Sequence, residues 1–167
     1  SASINYQIAA TYFDKGNKYD AQQAPENKWL LKKALLLCDS VTKAFPKTDA
    51  AQNCRALKLD ITQHNLSFLT ESANTPNEPF RALVTYKNIK TVYVRIAQID
   101  NEKYENKITG MYGEDLAREY LKLKSIKEYT VNLPDDSDFQ THTTEIKIPE
   151  LPLGHYAILM SSDKSFA

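Results

Sequence analysis

The sequence predicts an α+β fold in two segments, an α-helical leader over residues 1–75 and an antiparallel β-sandwich over residues 76–167. In the first segment, apolar residues recur at steps of three and four, the period of one helix face. In the second, they alternate in short runs rich in Val, Ile, Thr and Tyr, which end at Pro, Gly, Asn or Asp. The two periods meet at the Pro-Asn-Glu-Pro sequence of residues 76–79, which predicts a boundary between two folding units.

The first helix is predicted over residues 5–15, where Ile8, Tyr12 and Phe13 lie on one apolar face. Gly16 is expected to end this helix, because glycine readily adopts the left-handed conformation found after many helices. We expect the helix to pack on the two helices that follow it.

The next two helices are predicted to form an antiparallel hairpin, one over residues 27–45 and the other from Thr48 to His64. Pro46 ends the first, since a proline ring clashes inside a helix, and the Thr48 hydroxyl is a candidate N-cap of the second. The residues expected to face inward recur at helical spacing and are Leu30, Ala34, Cys38, Val41, Phe45, Ala50, Cys54, Leu57 and Ile61.

The two cysteines lie at matching heights of this hairpin, because Cys38 precedes Pro46 by eight residues and Cys54 follows it by eight. Both lie on inward faces, so their Cα atoms are expected within the roughly 7 Å that a disulfide requires. The alternative is a pair of reduced core thiols. A zinc site has less support, because two thiols without a third Cys or a paired His leave half of the tetrahedral shell empty. We predict the disulfide, and with it an oxidising, extracytoplasmic compartment.

Part of the leader resembles a tetratricopeptide repeat. Gly16 and Tyr19 are three residues apart, and Ala34, Val41 and Pro46 keep the spacing of small, apolar and proline residues in the family's second helix. The interval from Tyr19 to Ala34 is about six residues longer than in the family, and one repeat is visible where stacking needs three or more. The resemblance therefore implies a degenerate, TPR-like helical hairpin that docks on another surface.

Strands are predicted in the second segment at residues 80–86, 91–99, 127–133, 143–148 and 155–160. The first two flank a turn at residues 87–90 and are expected to form a hairpin. Their spacing and turn residues predict an antiparallel sandwich. The residues expected to face the core are Val92, Val94, Ile96, Tyr129, Val131, Ile146, Ile148, Tyr156, Ile158 and Met160. Residues 66–71 are compatible with either a helix or a strand.

An insertion of about 25 residues, over residues 101–125, separates the second and third predicted strands. It contains a predicted helix beginning at Gly113, where Glu114 and Asp115 complement the N-terminal end of the helix dipole. Loops of this length are uncommon inside a sandwich unless they are functional or pack by themselves, so the insertion is the candidate contact surface. Its tyrosines are expected either to stack on a sugar or partner protein, or to hold the helix on the sheet. They are Tyr104, Tyr112 and Tyr120.

The charge balance argues against nucleic acid or anionic lipid as a partner. Lys plus Arg equals Asp plus Glu, at 21 each, and no long run carries one sign. No apolar stretch reaches the roughly 18 residues of a membrane span, so no membrane insertion is expected. Because the chain starts at Ser1 without Met or a signal sequence, we expect a processed or excised piece that more protein follows.

The sequence contains no recognisable catalytic constellation. His64, His142 and His155 are far apart and outside metal-binding patterns, so we interpret them as surface or strand histidines. Neither a nucleophile elbow nor a Gly-rich phosphate loop occurs. One acidic loop lacks the Gly and distal Glu of a calcium site and is interpreted as a solvated turn. Its carboxylates are Asp135, Asp136 and Asp138. We therefore predict a protein that is not an enzyme and has no cofactor or metal.

The segment at residues 148–159, Ile-Pro-Glu-Leu-Pro-Leu-Gly-His-Tyr-Ala-Ile-Leu, is the most distinctive part of the strand-rich half. Its prolines interrupt sheet pairing, and its glycine permits a tight turn. Together with residues 83–88 and 92–96, it resembles the N-terminal macroglobulin-type domain of bacterial α2-macroglobulin-like proteins. The helical hairpin is also similar to the leader found in that group.

The resemblance implies a cell-envelope protein, periplasmic or secreted, of a protease-trapping family in which macroglobulin domains build a frame around a bait segment. Adjacent domains of the same protein would be the partners, and proteases would bind through the full-length protein. The family's thioester Cys is followed by Glu-Gln, whereas Cys38 precedes Asp39 and Cys54 precedes Arg55, so no reactive site can be transferred.

We therefore expect a non-catalytic structural segment. The alternative is a protein- or glycan-binding module that uses the helical hairpin and the insertion. An exposed apolar patch would favour the structural segment, whereas an open groove lined by tyrosines would favour the binding module.

Overall fold

The computed structural model describes residues 1–99 and 101–166, apart from the side chains of residues 101–103 and 105. Its helices are α1 (Ala2–Gly16), α2 (Leu30–Ala44), α3 (Asp49–Thr62), α4 (Asn101–Ile108) and α5 (Gly113–Leu121). Its strands are β1 (Asn65–Leu69), β2 (Phe80–Lys87), β3 (Thr91–Ile99), β4 (Ser125–Asn132), β5 (Thr141–Ile148) and β6 (His155–Ser161). Helices followed by antiparallel sheets confirm the predicted α+β class.

The chain forms two compact units. The helical unit comprises residues 1–65, 86–88 and 134–142, and the β unit comprises residues 66–85, 89–133 and 143–167. Two short segments from the strand-rich half therefore belong to the helical unit. The predicted division at residues 75 and 76 stays a prediction.

The three predicted helices of the leader are confirmed. They pack on one another, and the Thr48 hydroxyl caps α3 by accepting the Ala51 N–H at 3.3 Å. α2 begins at Leu30 rather than at residue 27, because a 3₁₀ turn at Pro25–Asn27 precedes it. One core cluster contains Ala9, Cys38, Val41, Ala51 and Cys54, and a second contains Leu31, Ala34 and Ile61.

The buried face of the hairpin departs from the prediction at its ends. Leu31 and Ala51 are fully buried where Leu30 and Ala50 were expected, and the latter two are only partly buried. The assignment of Phe45 to the inward face is wrong, since its side chain is 43% exposed. The reason is local: α2 ends at Ala44, and Phe45 has a φ of −134°, outside the helical range.

Gly16 ends α1 as predicted, but the physical reason differs. Gly16 does not have a positive φ, and the residue after it, Asn17, is in the right-handed helical region. A Cβ atom on Gly16 would lie 2.8 Å from the side chain of Leu31 and 2.9 Å from its backbone nitrogen. The glycine is therefore needed because the end of α1 approaches the start of α2 too closely for any side chain.

The β unit contains two three-stranded sheets, with the orders β1-β2-β5 and β4-β3-β6. In the second sheet, β3 pairs antiparallel with β4 and with β6, and its partners on β6 run from Ser161 opposite Tyr93 to His155 opposite Ile99. The segment at residues 66–71, for which the sequence was compatible with either a helix or a strand, contributes most of strand β1. Packing of the two sheets as a macroglobulin-type sandwich stays a prediction.

The predicted hairpin of the first two strands is wrong, because β2 and β3 lie in different sheets. The connecting turn is held elsewhere: Asn88, at φ 56°, donates through Nδ2 to the carbonyl oxygens of Ile61 at 2.8 Å and Gln63 at 2.9 Å. All three residues belong to the helical unit. The turn therefore caps the end of α3 instead of closing a two-stranded ribbon.

Half of the ten predicted core positions of the strands are confirmed. Val92, Val94, Ile96, Ile146 and Ile148 are buried. The β4 and β6 positions are only partly buried, namely Tyr129, Val131, Tyr156, Ile158 and Met160. On β6 the buried residue is Ala157, which lies between two of the predicted positions.

The insertion forms α4 and α5, of which only the second was predicted. Glu119 on α5 joins them, since it pairs with Lys107 at 2.8 Å and also with Lys122. The Lys107 hydrogen bond first, and the Lys122 hydrogen bond second, lower the pKa of Glu119. None of the helices in the described part of the chain combines the length and the apolar character needed to cross a bilayer.

Candidate functional site

The β unit contains an open groove with a volume of about 630 Å³. The loop after β1 and the turn before β6 supply most of its wall, and α5 and the ends of several strands complete it. We call this site the groove; it is lined by residues 70–76 and 151–156 and by Glu78, Phe80, Ile99, Ile108, Tyr120 and Ile158.

The apolar wall of the groove contains three aromatic residues beside aliphatic ones. Phe80 starts β2, Tyr120 lies on α5 and Tyr156 lies on β6, and all three side chains are partly buried. The Tyr156 hydroxyl donates to the Pro152 carbonyl oxygen at 3.0 Å, which fixes the ring against the preceding turn. A Cβ atom at Gly154 would lie 3.2 Å from that hydroxyl, so the absence of a side chain at Gly154 makes space for the Tyr156 ring.

Among the described residues, the ionisable side chains of the wall are two carboxylates and one histidine, namely Glu71, Glu78 and His155. None of the described wall residues is a Lys or an Arg. Neither carboxylate has an ion-pair partner within 4.0 Å among the described residues, and both side chains are exposed. The described part of the wall therefore has a negative charge that no described cation balances, although the whole chain is formally neutral.

The two loops of the groove hold each other in place. The backbone N–H of Asn77 donates to the Leu151 carbonyl oxygen at 2.8 Å, and Asn77 has a φ of 59°. Asn74 donates through Nδ2 to the carbonyl oxygen of Glu71 at 3.2 Å. These bonds set the position of the Glu71 and Glu78 backbone relative to the β6 turn.

Strand β6 gives the groove a free backbone edge. β6 pairs with β3 alone in the sheet order β4-β3-β6, and its residues His155, Tyr156 and Ile158 line the groove. In an antiparallel edge strand, every second residue directs its N–H and C=O away from the sheet. The groove therefore combines an aromatic wall, two free carboxylates and unpaired main-chain groups.

Of the three tyrosines predicted as a contact surface, the structure places one in the groove. Tyr120 lines it, whereas Tyr104 and Tyr112 do not. Tyr112 is 84% exposed, and the Lys107 ammonium lies 5.5 Å from the ring centroid of the partly buried Tyr104. Sequence reasoning missed Glu71, Glu78 and Phe80, because no local pattern links these residues to a site. Tyr156 was recognised as a strand residue but not as a groove residue.

A second polar site, in the helical unit, surrounds the buried carboxylate of Asp138. Its Oδ1 accepts the Gln140 N–H at 2.9 Å and lies 2.8 Å from Nε2 of His142. Its Oδ2 lies 4.0 Å from the ammonium of Lys28, which also pairs with Asp136 at 2.7 Å. The interpretation of this loop as a solvated acidic turn is wrong for Asp138, because folding places its carboxylate against the helices.

The neighbouring Gln140 shows what this site does. Its buried side-chain amide donates to the carbonyl oxygens of Gly16 and Lys28, both at 3.1 Å. These carbonyls belong to the end of α1 and the residues before α2. Asp138 and Gln140 therefore both form hydrogen bonds with backbone groups. We interpret the Asp138 site as structural, because it holds the loop at residues 134–142 in place.

The Asp138 and His142 pair has the geometry of an acid–histidine couple, but the contacts around it lack a nucleophile. The nearby Tyr86 hydroxyl donates to the Pro134 carbonyl oxygen at 2.6 Å, and the Tyr86 and His142 rings lie 5.9 Å apart. Among the described residues, neither His64 nor His155 makes a hydrogen bond with the pair. Within the described part of the chain, no group of three or more His, Cys, Asp and Glu side chains is arranged to hold a metal ion.

The two cysteines are buried free thiols in the core of the helical unit. Burial first, and the side-chain hydrogen bond with Cys54 second, raise the pKa of the Cys38 thiol to about 12. The two side chains are thus neighbours, as the hairpin symmetry requires. The disulfide between Cys38 and Cys54 stays a prediction.

Comparisons of the chain with family models, with curated proteins and with solved structures give no significant match. The resemblance to macroglobulin-type domains therefore stays a hypothesis.

Proposed function

We propose that this chain is a non-catalytic protein-binding module and that the groove of the β unit receives a segment of the partner. The observation that carries the proposal is the composition of the groove wall. Aromatic side chains, two carboxylates without ion-pair partners and the edge of β6 meet in one open site. Aromatic anchors beside a few polar groups are the usual make-up of a recognition site.

The shape and lining of the site support a binding role over a purely structural one. A frame segment needs apolar surface that a neighbouring domain covers, whereas a recognition site needs a groove with directional groups. Phe80, Tyr120 and Tyr156 are the aromatic residues of this groove. The two tyrosines meet the criterion that separates a binding module from a frame segment.

The second candidate function is the frame role in a cell-envelope α2-macroglobulin-like protein. It is favoured by exposed apolar side chains on the helical unit, since Leu36 on α2 is 59% exposed and Leu59 on α3 is 73% exposed. Neighbouring domains would cover these leucines. In the full-length protein, the L36K and L59K double variant is then expected to weaken cross-linking between this segment and the rest of the chain, while peptide binding at the groove is unchanged.

Selection from a library of random displayed peptides on the immobilised protein tests the proposed binding role. Selected peptides are expected to bind the wild-type protein and to lose about tenfold in affinity to the Tyr120→Ala variant, the typical cost of removing an aromatic anchor. Tyr112→Ala is the matched control, because Tyr112 lies in the same insertion but outside the groove. It should bind like the wild type.

Circular dichroism establishes that both variants remain folded. Selected peptides that bind Tyr120→Ala as tightly as the wild type would place the site elsewhere. If no peptide is enriched and an array of glycans binds instead, the module recognises sugars and the proposal is wrong.

A further inference from the structure

We infer that the ligand of the groove is an extended peptide with Lys or Arg side chains, which adds to the sheet along the free edge of β6 and directs its cations toward Glu71 and Glu78. This inference rests on the proposed function and specifies the chemistry of the partner. Three features of the described residues carry it: an unprotected strand edge, an uncompensated negative wall and an aromatic surface suited to cationic side chains.

The edge of β6 lacks the devices that normally prevent strand addition. Edge strands are usually protected by prolines, charged residues, bulges or short length. β6 has the sequence His-Tyr-Ala-Ile-Leu-Met-Ser, with no proline and no Asp, Glu, Lys or Arg. The opposite edge of the same sheet, β4, carries Lys127 and Glu128. By its sequence, β6 is therefore the less protected edge of this sheet, and helix α5 contacts part of the strand.

The groove borders β6 over part of its length. Tyr156 and Ile158 are two residues apart on β6 and therefore point to the same side, and both line the groove. Two residues of a strand span about 7 Å, so a bound segment contacts β6 over at least that length. Main-chain hydrogen bonds would supply affinity, and pockets for alternate side chains would supply selectivity.

The charge of the wall selects the side chains of the segment. Glu71 and Glu78 are exposed at the groove, and none of the described wall residues is a Lys or an Arg that could neutralise them. An acidic peptide would meet like charge, which costs affinity, whereas a basic peptide gains charge-assisted hydrogen bonds. The carboxylates also attract cations from solution and raise the association rate at low salt.

The aromatic wall favours the same side chains. Lys and Arg carry long apolar stems that pack along aromatic surface while their charged ends reach carboxylates. Arg also stacks on tyrosine rings and binds carboxylates in a bidentate manner. Tyr120 and Tyr156 line the groove together with Glu71 and Glu78, so the site offers both kinds of partner to a basic peptide.

Two other occupants fit part of this description. A sugar would use the aromatic rings and the carboxylates but not the strand edge. A second copy of this chain would use the edge of β6, with the β6 strands of two molecules paired antiparallel, but it would bring two further glutamates to an already negative groove. The free edge and the uncompensated charge together favour the basic peptide.

Fluorescence anisotropy with a labelled peptide of alternating valine and arginine tests the inference. Binding is expected to weaken about tenfold in the Glu71→Gln and Glu78→Gln double variant, the combined effect of two exposed charge pairs. Glu114→Gln is the matched control, because Glu114 is an exposed glutamate of α5 outside the groove. It should leave the affinity unchanged.

Two altered probes separate the parts of the inference. A peptide methylated on alternate backbone nitrogens keeps its side chains but cannot pair with β6, and it should lose at least tenfold in affinity. A peptide with glutamate in place of arginine should not bind. Binding of the wild-type chain should also weaken as salt is added.

The failures are distinguishable. If the library selection enriches neutral or acidic peptides that depend on Tyr120, or if the methylated probe binds as well as its parent, the binding role stands and this inference is wrong. If no peptide binds and glycans do, both fail. Concentration-dependent dimers in sedimentation experiments, with no peptide binding, would identify a second copy as the occupant and would overturn the inference.

Discussion

The carboxylate of Asp138 lies 2.8 Å from Nε2 of His142, with the Asp138 side chain only 2% exposed. Both residues belong to the segment at 134–142 that joins the helical unit. Ser137 and Phe139, on either side of Asp138, adopt positive φ values of 55° and 64°. The backbone of this segment therefore takes an uncommon conformation, and the hydrogen bonds of Asp138 and Gln140 stabilise it.

Asp138→Ala is expected to destabilise the helical unit by about 2 kcal/mol, because it leaves the Gln140 N–H and the His142 ring without their buried partner. Urea denaturation followed by far-ultraviolet circular dichroism measures the loss. Asp136→Ala is the control, since Asp136 is exposed and its ion-pair partner among the described residues is Lys28. A smaller loss of unfolding free energy for Asp138→Ala than for Asp136→Ala would contradict the structural role of Asp138.

Gly16→Ala is expected to cost about 2 kcal/mol of unfolding free energy through overpacking, because its Cβ would lie 2.8 Å from the Leu31 side chain and 2.9 Å from the Leu31 nitrogen. Urea denaturation measures the cost. Combined with Leu31→Ala, part of it should be recovered, since the side-chain clash is removed and the backbone clash stays. Additive losses in the double variant would mean that the two residues do not interact.

The folded protein is expected to become less stable in acid, because folding lowers the pKa values of several carboxylates. The hydrogen bond from Lys28 holds the pKa of Asp136 below its ordinary value, which is about 4 in the unfolded chain. A carboxyl with a lowered folded pKa contributes stability above its unfolded pKa and loses that contribution as the pH falls through the folded pKa. Urea unfolding at several pH values below about 5 should show this decline.

Asp136→Asn is the variant that tests the assignment. It should make the acid decline shallower than in the wild type, and the remaining decline comes from other carboxylates with lowered pKa values, such as Asp20 and Glu119. An unchanged slope for Asp136→Asn would rule out this ion pair as a source of the pH dependence.

The thiols of the reduced, folded protein are expected to react slowly with an aromatic disulfide reagent at neutral pH. Cys38 and Cys54 are both buried away from the reagent, and because the pKa of Cys38 is raised to about 12, Cys38 contributes almost no reactive thiolate. Unfolding in urea should make both thiols react at an ordinary rate. Rapid labelling of the folded protein would contradict the buried placement of the pair.

The predicted disulfide has its own test. Refolding with oxidised glutathione is expected to join the two sulfurs, with loss of two protons and transfer of two electrons to the glutathione disulfide, which is reduced to two thiols. Closing a loop of this length stabilises by about 3 kcal/mol. The Cys38→Ala variant provides the control, because it retains one thiol and cannot close the loop. If unfolded protein that was never exposed to reductant shows two titratable thiols, the predicted disulfide is wrong.

Local sequence signals predicted the helices and most strands well, because their causes lie within a few residues. Thr48 caps α3 since its hydroxyl reaches a backbone N–H three residues ahead. Val92, Val94 and Ile96 alternate and are buried, as the two-residue period of a strand requires. The helix over Gly113–Leu121 begins where its glycine and acidic residues indicate.

The pairing of strands was not predictable from these signals. β2 and β3 are separated by a short turn, which favoured a hairpin, yet they lie in different sheets. Asn88 binds the end of α3, some 25 residues earlier in the chain. Local propensities cannot predict a contact between residues so far apart. Which strands pair with each other depends on contacts between elements that are distant in the sequence.

The sequence by itself determined the class of most elements, the positions where most helices and strands begin and end, and the matched heights of Cys38 and Cys54, because periodicity and capping act over a few neighbouring residues. The tertiary structure alone decided the sheet order, the burial of Asp138 and the composition of the groove. Glu71, Phe80 and Tyr120 are far apart in the chain and meet in one wall only when it folds. A site made of such residues has no signature in any short segment, since its chemistry depends on non-local packing.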